Sequence, residues 1–353
     1  MTVRTSESEL CPTASEVFAE HWARPEHCEP LGGGRVNDSF LVTVERPVPH
    51  SMARRFVLQR INTELFKATG QLIEQSLRVV THLQTQDCPL VPAWVPAQGG
   101  DYAVWTASGL WRLLEFVEGE PLQRAQPPLR VARLEAAAAA FAGTQSALES
   151  LAGPRLKPNI PFLYQFDLTL DGFLDIARDA PSPWQDRVDR YRSQWLHLTA
   201  TDGYIHGDCK PDNILFLPET LEPAAVLDLD TVMWGNRWWD LGDLVRSAVW
   251  SDEGFCQRRY QALLKGFLTA PAGVSERQRR AELDRDAVLD APMYVAFLLV
   301  LRYLTDHLQG DRHFKVAARG DNLERAEERY SRLTQLIDAR PLMARELDAL
   351  LGS

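Results

Sequence analysis

The stretch that most constrains the fold is a polar loop followed by two short apolar runs, at residues 203–230. It reads GYIHGDCKPDNILFLPETLEPAAVLDLD. The two runs flank a turn that contains proline and glutamate, a pattern that predicts a β-hairpin. Such a hairpin folds Asp228, which ends the second run, back beside Asn213, which precedes the first. Carboxylate and amide oxygens that converge in this way suit a hard cation such as Mg²⁺.

The residue types in this loop are those that phosphoryl transfer requires. That reaction needs a group that positions the attacking hydroxyl, oxygen ligands for magnesium and charge neutralisation. The pattern HGDxxxxN matches a kinase catalytic loop, in which Asp208 faces the acceptor and Asn213 reaches a metal. Lys210 would neutralise the transferred group. Asp230 competes with Asp228 for the metal, and a turn closed by local hydrogen bonds is the structural alternative.

The rest of the chain divides into two textures. Residues 1–30 carry a weak helical pattern, and alternating apolar and polar residues then predict strands at 39–44, 55–61, 90–95, 103–106 and 111–116, with a helix at 64–84. A Pro-rich stretch, EGEPLQRAQPPL, follows, and beyond it the pattern is mostly helical. We therefore expect an α+β, protein-kinase-like fold. Residues 1–117 would form the nucleotide-binding lobe, and residues 118–353 the catalytic and substrate-binding lobe.

Composition narrows the partners and the compartment. The chain has 353 residues, a formal net charge of -10 and no long basic run, so nucleic acid is not an expected partner. No signal peptide is evident, and the longest apolar run, APMYVAFLLVLRYL, is shorter than a membrane span and predicts a buried helix. No membrane partner is therefore expected. The five cysteines form no CxxC pair: Cys11, Cys28, Cys88, Cys209 and Cys256. They suggest neither a disulfide framework nor a zinc site, so we expect a cytoplasmic enzyme.

The first lobe should bind the nucleotide. The hairpin LGGGRVNDSF offers Gly32, Gly33 and Gly34, whose backbone amides could approach phosphate oxygens. The next strand has Gln59 where kinases place a phosphate-contacting lysine, and Glu74 is a weak candidate for the glutamate that pairs with that lysine.

The adenine edge would meet the backbone where the last strand of the first lobe ends. The segment WRLLEFVEGEPL occupies this position, and the expected contacts lie around Glu115 to Val117. The position between the two lobes is what supports this expectation.

Asp240, in the segment WGNRWWDLGDLVRS, follows Asp228 at an interval that resembles the aminoglycoside phosphotransferase and choline kinase superfamily. The resemblance implies that Asp240, together with His206, supports the polar loop. Within the superfamily the chain most resembles the N-acetylhexosamine 1-kinases, from about residue 31 to about residue 335, including the glutamine at Gln59. It implies ATP and Mg²⁺ as cofactors and a sugar as acceptor, with the anomeric hydroxyl as the attacking group.

The resemblance also implies which residues contact the acceptor besides Asp208. Carried over by position, these are Arg35, Asn37, Arg302 and Asp306. The late segment RYLTDHLQGDRHFKVAARGDN mixes Arg302, Arg312, Lys315 and Arg319 with only a few acids, which favours a neutral or weakly charged sugar over a polycationic aminoglycoside. An aminoglycoside, choline or another amino alcohol stays open as acceptor. So does a regulatory pseudokinase, because the lysine is missing. The oligomeric state is not determined by the sequence.

Overall fold

The computed structural model describes residues 7–32, 36–86, 91–178, 184–269, 283–311, 314 and 316–352. The chain forms two compact units. The first comprises Met1–Gln84 and Val91–Glu118, and the second comprises Thr85–Leu90 and Gly119–Ser353. The small sheet-containing unit and the larger helical unit confirm the predicted α+β, kinase-like fold class. The predicted lobe limits, and the assignment of a separate function to each lobe, stay predictions.

The first unit is a five-stranded antiparallel sheet with two helices. Its elements are α1 (Glu7–His21), β1 (His27–Pro30), β2 (Asp38–Thr43), β3 (Arg55–Arg60), α2 (Thr69–Leu83), β4 (Val104–Thr106) and β5 (Gly109–Glu115). The strand order is β1-β2-β3-β5-β4. Alternate residues of β2, β3 and β5, among them Phe40, Phe56 and Trp111, pack with Phe18 of α1 and with Trp22, which directly follows that helix. The apolar phase of each strand therefore builds this core.

Two elements of the first unit differ from the prediction. Helix α2 begins at Thr69 rather than at residue 64, because the Asn62 side chain accepts the backbone N–H groups of Glu64 and Leu65 and holds a turn there. Of the strand predicted at 90–95, the described residues 91–95 form only one isolated bridge, between Trp94 and Leu114, and Leu90 lies outside the described residues.

The second unit carries most of the helices. Its helices are α3 (Pro127–Leu148), α4 (Phe166–Ala177), α5 (Trp184–Asp189), α6 (Trp238–Ala248), α7 (Gln257–Thr269), α8 (Arg285–Leu308) and α9 (Asp321–Gly352). Its short strands are β6 (Glu120–Pro121), β7 (Gly203–Ile205), β8 (Ile214–Phe216), β9 (Pro223–Val226), β10 (Met233–Gly235), β11 (Trp250–Ser251) and β12 (Gly254–Phe255). Strands β8 and β9 form the predicted hairpin, with Ile214 opposite Val226, and β7 pairs with β10.

Helix α8 is the buried helix that the apolar run predicted. It is longer than that run, and among the described residues it alone passes the length and composition test for a membrane span. The apolar run covers only the centre of this helix, which extends beyond the run at both ends. Inside the protein, 89% of its most apolar window is buried, as in the core helix of a soluble protein.

Two cysteines that are distant in sequence lie side by side in the first unit. The Cys11 sulfur is 3.9 Å from the Cys28 sulfur and 3.0 Å from the Cys28 carbonyl oxygen. Both are free thiols, and burial together with the neighbouring sulfur raises the pKa of Cys28 to about 12. The sequence separation conceals this contact, which forms because α1 packs on β1.

Candidate active site

The polar loop, residues 206–213, connects β7 to β8, and its backbone donates hydrogen bonds to the Asp240 side chain. This carboxylate lies in the first turn of α6, is fully buried, and accepts the backbone N–H groups of His206 at 2.8 Å and Gly207 at 2.9 Å. The Gln145 side-chain amide donates a third bond at 3.0 Å. Burial raises the pKa of Asp240, and these donors compensate the desolvation of its charged form.

His206 is buried beneath the loop and uses both ring nitrogens. Its Nδ1 accepts the Asp208 backbone N–H at 3.2 Å, so its Nε2 donates to the Leu227 carbonyl oxygen at 2.9 Å. Burial lowers the pKa of His206 and keeps the ring neutral. The ring therefore connects the loop to the end of β9. The supporting roles of His206 and Asp240 stay predictions, and these hydrogen bonds are the contacts on which such roles would depend.

Gly207 allows the loop to pass close to the segment after β9. Its φ is +82°, and a Cβ atom there would lie 2.5 Å from the Thr231 carbonyl oxygen. The Thr231 hydroxyl donates to the His206 carbonyl oxygen at 2.9 Å. A side chain at position 207 would therefore displace the backbone on which Asp208 stands.

Asp208, the predicted catalytic residue, is paired with two other loop residues. Its Oδ2 accepts a bond from Asn213 Nδ2 at 2.8 Å and forms an ion pair with Lys210 Nζ. Asn213 Nδ2 also donates to the Asp208 carbonyl oxygen at 2.8 Å. Burial acts to raise the pKa of Asp208, but the Lys210 charge and these bonds outweigh it and leave the pKa below its usual value. Asp208 is thus a carboxylate at neutral pH.

The hairpin brings Asp228 close to Asn213. The Leu227 backbone N–H donates to the Asn213 carbonyl oxygen at 2.9 Å, and Asp228 follows directly in a left-handed conformation with φ +59°. A non-glycine residue in this region is strained and is typical of functional sites. Because Asn213 Nδ2 is committed to Asp208, its Oδ1 is the amide atom suited to a cation. Burial acts to lower the pKa of Lys210, but the charges of Asp208 and Asp228 outweigh this effect and raise the pKa.

The donor set suits a magnesium ion that also binds phosphate. One carboxylate and one amide oxygen, completed by phosphate and water, match the way Mg²⁺ is held in kinases. Among the described residues there is no group of three or more His, Cys, Asp or Glu that could enclose a metal by itself. Asp230, the competing ligand, is 1% exposed, and its carbonyl oxygen accepts Asn159 Nδ2 at 2.9 Å.

The two predicted acceptor residues of α8 have different surroundings. Arg302 is half-buried and its guanidinium faces the Phe314 ring at 5.4 Å. Asp306 is 2% exposed, and its Oδ2 accepts the Phe314 backbone N–H at 3.0 Å and Asn322 Nδ2 at 2.9 Å. These bonds support a bracing role for Asp306 in the α8–α9 connection. Its contact with an acceptor stays a prediction.

The predicted phosphate hairpin is described in part. Gly32 has φ +71° and no atom within 4 Å of a Cβ position, so its backbone is open. Gly33, Gly34 and Arg35 lie outside the described residues. Asn37 is 8% exposed, and its Oδ1 accepts the Asn62 backbone N–H at 2.9 Å, which secures the end of the hairpin.

The position of the missing lysine is filled by a glutamine–arginine pair. Gln59 on β3 lies opposite Arg112 on β5, and its Oε1 accepts from Arg112 Nε at 2.9 Å and Nη2 at 2.7 Å. Gln59 Nε2 donates to the Ser39 hydroxyl at 3.2 Å. The Arg112 guanidinium stacks on Trp94 at 4.6 Å. Sequence reasoning missed this arginine, although a charged residue inside the apolar strand GLWRLLE was the available signal.

The other residues predicted to support nucleotide binding are Glu74 and the backbone from Glu115 to Val117, and their surroundings favour such binding less. Glu74 is exposed on α2, and no partner for it is seen within the described part of the chain, so the lysine–glutamate pair of kinases has no counterpart there. The Glu115 backbone N–H donates to Ala93 and the Phe116 N–H to Arg55, which commits both to the sheet region. Backbone donation to adenine would therefore depend on Val117.

Comparison with known proteins agrees with this fold. Residues 27–283 match the model of a family described as the phosphotransferase enzyme family. Amicoumacin kinase hAmiN, solved with AMP-PNP, Ca²⁺ and amicoumacin, is 14% identical over 91% of this chain and 92% of that chain, with a TM-score of 0.62. An aminoglycoside phosphotransferase from Alicyclobacillus acidocaldarius is 15% identical over 92% of both chains, with a TM-score of 0.55.

A choline kinase from Cryptosporidium parvum is 12% identical over 93% of both chains, with a TM-score of 0.54. At these identities the solved structures establish a shared fold. The family match spans most of the chain and carries the assignment of activity. The chain belongs to the phosphotransferase enzyme family, and it is a phosphotransferase that acts on a hydroxyl acceptor, as the sequence predicted.

Proposed function

We propose that this protein is an ATP- and Mg²⁺-dependent kinase that phosphorylates a sugar hydroxyl, namely the anomeric hydroxyl of a hexose or an N-acetylhexosamine. The observation that carries the proposal is the arrangement of Asp208, Lys210 and Asn213 in one loop, with Asp228 beside it at the end of β9. A cytoplasmic location, where ATP is abundant, belongs to the same proposal.

Asp208 would orient the attacking hydroxyl. Its pKa lies below the usual value, so it accepts a hydrogen bond from the hydroxyl as a carboxylate rather than competing for the proton early in the reaction. Phosphoryl transfer has a loose transition state that is stabilised mainly by alignment and charge neutralisation, so a positioning carboxylate is sufficient. Lys210 would neutralise charge on the transferred group as the bond to the leaving phosphate breaks.

Asn213 and Asp228 would hold the divalent cation through Oδ1 and the carboxylate. When bound, such an ion neutralises charge on the phosphates. Asp228 has a left-handed backbone and closely follows β9, which pairs with β8 next to the polar loop. Gly32, Gly33 and Gly34 would offer backbone donors to the phosphates, and Gln59 with Arg112 would take the place of the kinase lysine.

The sugar acceptor is supported by the N-acetylhexosamine 1-kinase resemblance and by the cation at Arg302. Arg302 is a cation that interacts with the Asp208 charge, and it would repel an aminoglycoside, itself a polycation. Aminoglycosides and choline are the acceptors of proteins that share this fold, so they form the second set to test.

The test is ADP release with ATP and Mg²⁺ across glucose, galactose, mannose, GlcNAc, GalNAc, choline and kanamycin. Phosphorus NMR of any product then gives the phosphorylated oxygen. An anomeric phosphate is the expected result. A phosphate on another sugar oxygen would overturn the anomeric assignment and keep the sugar class. Turnover of choline or kanamycin alone would overturn the sugar class.

A further inference from the structure

Arg302 is a half-buried cation with no acidic partner among the described residues. It lies on the last third of α8, and its guanidinium is over the Phe314 ring at 5.4 Å. The described part of the chain provides no hydrogen bond or ion pair to this guanidinium. Placing a charge in a partly desolvated site without a counter-ion is unfavourable, and burial lowers the pKa of Arg302. A residue in this state is ready to bind an anion.

A second arginine near it is also incompletely paired. Arg329 on α9 has a buried Nε without a hydrogen-bond partner among the described residues. Its Nη1 is 3.7 Å from Glu328, which forms a closer pair with Arg332 at 2.8 Å. Arg329 and Arg302 are both close enough to Arg246 and Tyr303 for charge interactions. The two cations therefore belong to one region, formed by α6, α8 and α9.

Three acids of this region already have their own cations, whereas Asp306 accepts from the Phe314 backbone N–H and from Asn322. Asp208 pairs with Lys210, and Glu328 pairs with Arg332. Asp243 accepts Arg246 Nε at 2.8 Å and also binds its Nη2. Asp208 and Asp243 therefore neutralise other cations rather than Arg302 or Arg329.

The Arg302 cation lies close to the candidate catalytic residue. The Asp208 charge acts on Arg302 and on Arg246, so the three side chains are near neighbours within the second unit. An acceptor whose hydroxyl meets Asp208 would thus bring its other substituents toward Arg302.

We propose that the acceptor is a sugar that bears an anionic substituent, a carboxylate or a phosphate, which Arg302 binds with help from Arg329. The proposal rests on the sugar kinase function proposed above and narrows its substrate class. A planar guanidinium matches carboxylate and phosphate oxygens in a bidentate geometry. A neutral sugar would instead leave Arg302 desolvated without a counter-charge when it enters, so the site discriminates against it.

The test compares matched sugars that share a free anomeric hydroxyl: glucose with glucuronic acid, glucose with glucose 6-phosphate, and GlcNAc with N-acetylmuramic acid. We expect kcat/KM for at least one anionic member to exceed that of its neutral partner by tenfold or more. The carboxylated and phosphorylated members distinguish the two anions. Equal or higher kcat/KM for every neutral partner would overturn the inference while leaving the sugar kinase function intact.

The variant Arg302→Gln locates the effect. We expect it to lower kcat/KM for the preferred anionic sugar at least tenfold more than for the neutral partner, chiefly through KM. Arg302→Lys should recover part of the difference, since charge is kept and the fork is lost. The matched control is Arg345→Gln, an exposed residue on α9 about 24 Å along the helix from Arg329, which should not alter the ratio.

Two other outcomes would overturn either the inference or the function on which it rests. An equal loss for both sugars in Arg302→Gln would overturn the inference and make Arg302 a structural residue. Phosphorylation of choline or kanamycin, with no sugar turned over, would instead remove the proposed function on which this inference rests. The wild-type comparison of matched sugars holds even if a variant fails to fold.

Discussion

At the scale of single residues, the proposed chemistry depends on a carboxylate that is kept ionised while it is largely buried. Lys210 and Asn213 both contact Asp208 Oδ2. Because both bonds occupy this oxygen, it cannot act as a strong base. The geometry therefore supports positioning of the acceptor hydroxyl by Asp208. In the proposed mechanism, three residues of one short loop would divide orientation, charge neutralisation and metal binding among themselves.

Asp208→Asn should lower kcat by about 100- to 10,000-fold, because it removes the acceptor of the hydroxyl proton. ATP affinity should stay within about twofold of the wild type. Steady-state kinetics and calorimetric ATP titration measure the two effects. Asp212→Asn is the control, since Asp212 is exposed in the same loop and bonds to Gln123. A loss of ATP binding in Asp208→Asn would instead indicate a structural residue.

His206 should make stability depend on pH. Its folded pKa is lowered, so the unfolded chain, with a pKa near about 6.5, binds a proton that the folded protein resists. Stability is then complete above about pH 6.5 and falls below it, by up to about 1.4 kcal/mol per pH unit until the lowered folded pKa is reached. Thermal unfolding between pH 7.5 and 5.5 should show a shallower decline for His206→Gln than for the wild type. Parallel declines would refute this assignment.

At the scale of elements, the polar loop and the segment after β9 are in backbone contact at Gly207. Gly207→Ala should destabilise the protein by about 2 to 4 kcal/mol, because it combines an unfavourable φ with a 2.5 Å approach to the Thr231 carbonyl. Chemical denaturation measures this loss. Gly143→Ala in α3 has no atom within 4 Å of the new Cβ and should stabilise by about 0.5 to 1 kcal/mol. Equal effects of both substitutions would contradict the argument.

On the adjacent strands β3 and β5, the Gln59–Arg112 pair occupies the position of the kinase lysine. Gln59→Lys should destabilise by about 1 to 3 kcal/mol, because it places an ammonium where Arg112 now finds an acceptor. Adding Arg112→Gln reverses the donor and acceptor and should recover much of that loss. A double-mutant cycle on unfolding free energies measures the coupling. Additive effects would mean that the pair is not an interacting unit.

At the scale of the whole molecule, binding of nucleotide should raise the stability of the protein in a metal-dependent way. ATP with Mg²⁺ at about 100 times its Kd should add about 2.7 kcal/mol. Asp228→Asn should lose the part of this increment that EDTA removes, while the fold survives, because Asn tolerates the left-handed conformation. Thermal shift with ATP, with and without Mg²⁺, is the measurement. Asp338→Asn, exposed on α9, is the control, and a wild-type shift in Asp228→Asn would exclude it as a ligand.

The sequence by itself determined the fold class, the hairpin and the phosphotransferase activity. These follow from local information: strand residues alternate with period two, helical residues repeat with period 3.6, and the polar loop and Asp228 occupy one short stretch. The length of α8 was underestimated because only its apolar centre stands out in the sequence. The starts of elements likewise depend on side-chain turns such as the one at Asn62.

Only the tertiary structure decided which charges meet. Gln59 and Arg112 are 53 positions apart, and strand pairing alone sets them opposite each other. Asp240 reaches the polar loop, and Arg302 and Arg329 each come within range of the Arg246 charge, through helix packing that has no signal in the sequence periodicity. The energy of a buried charge depends on its partners and its desolvation, and both are properties of the packed chain rather than of any local segment.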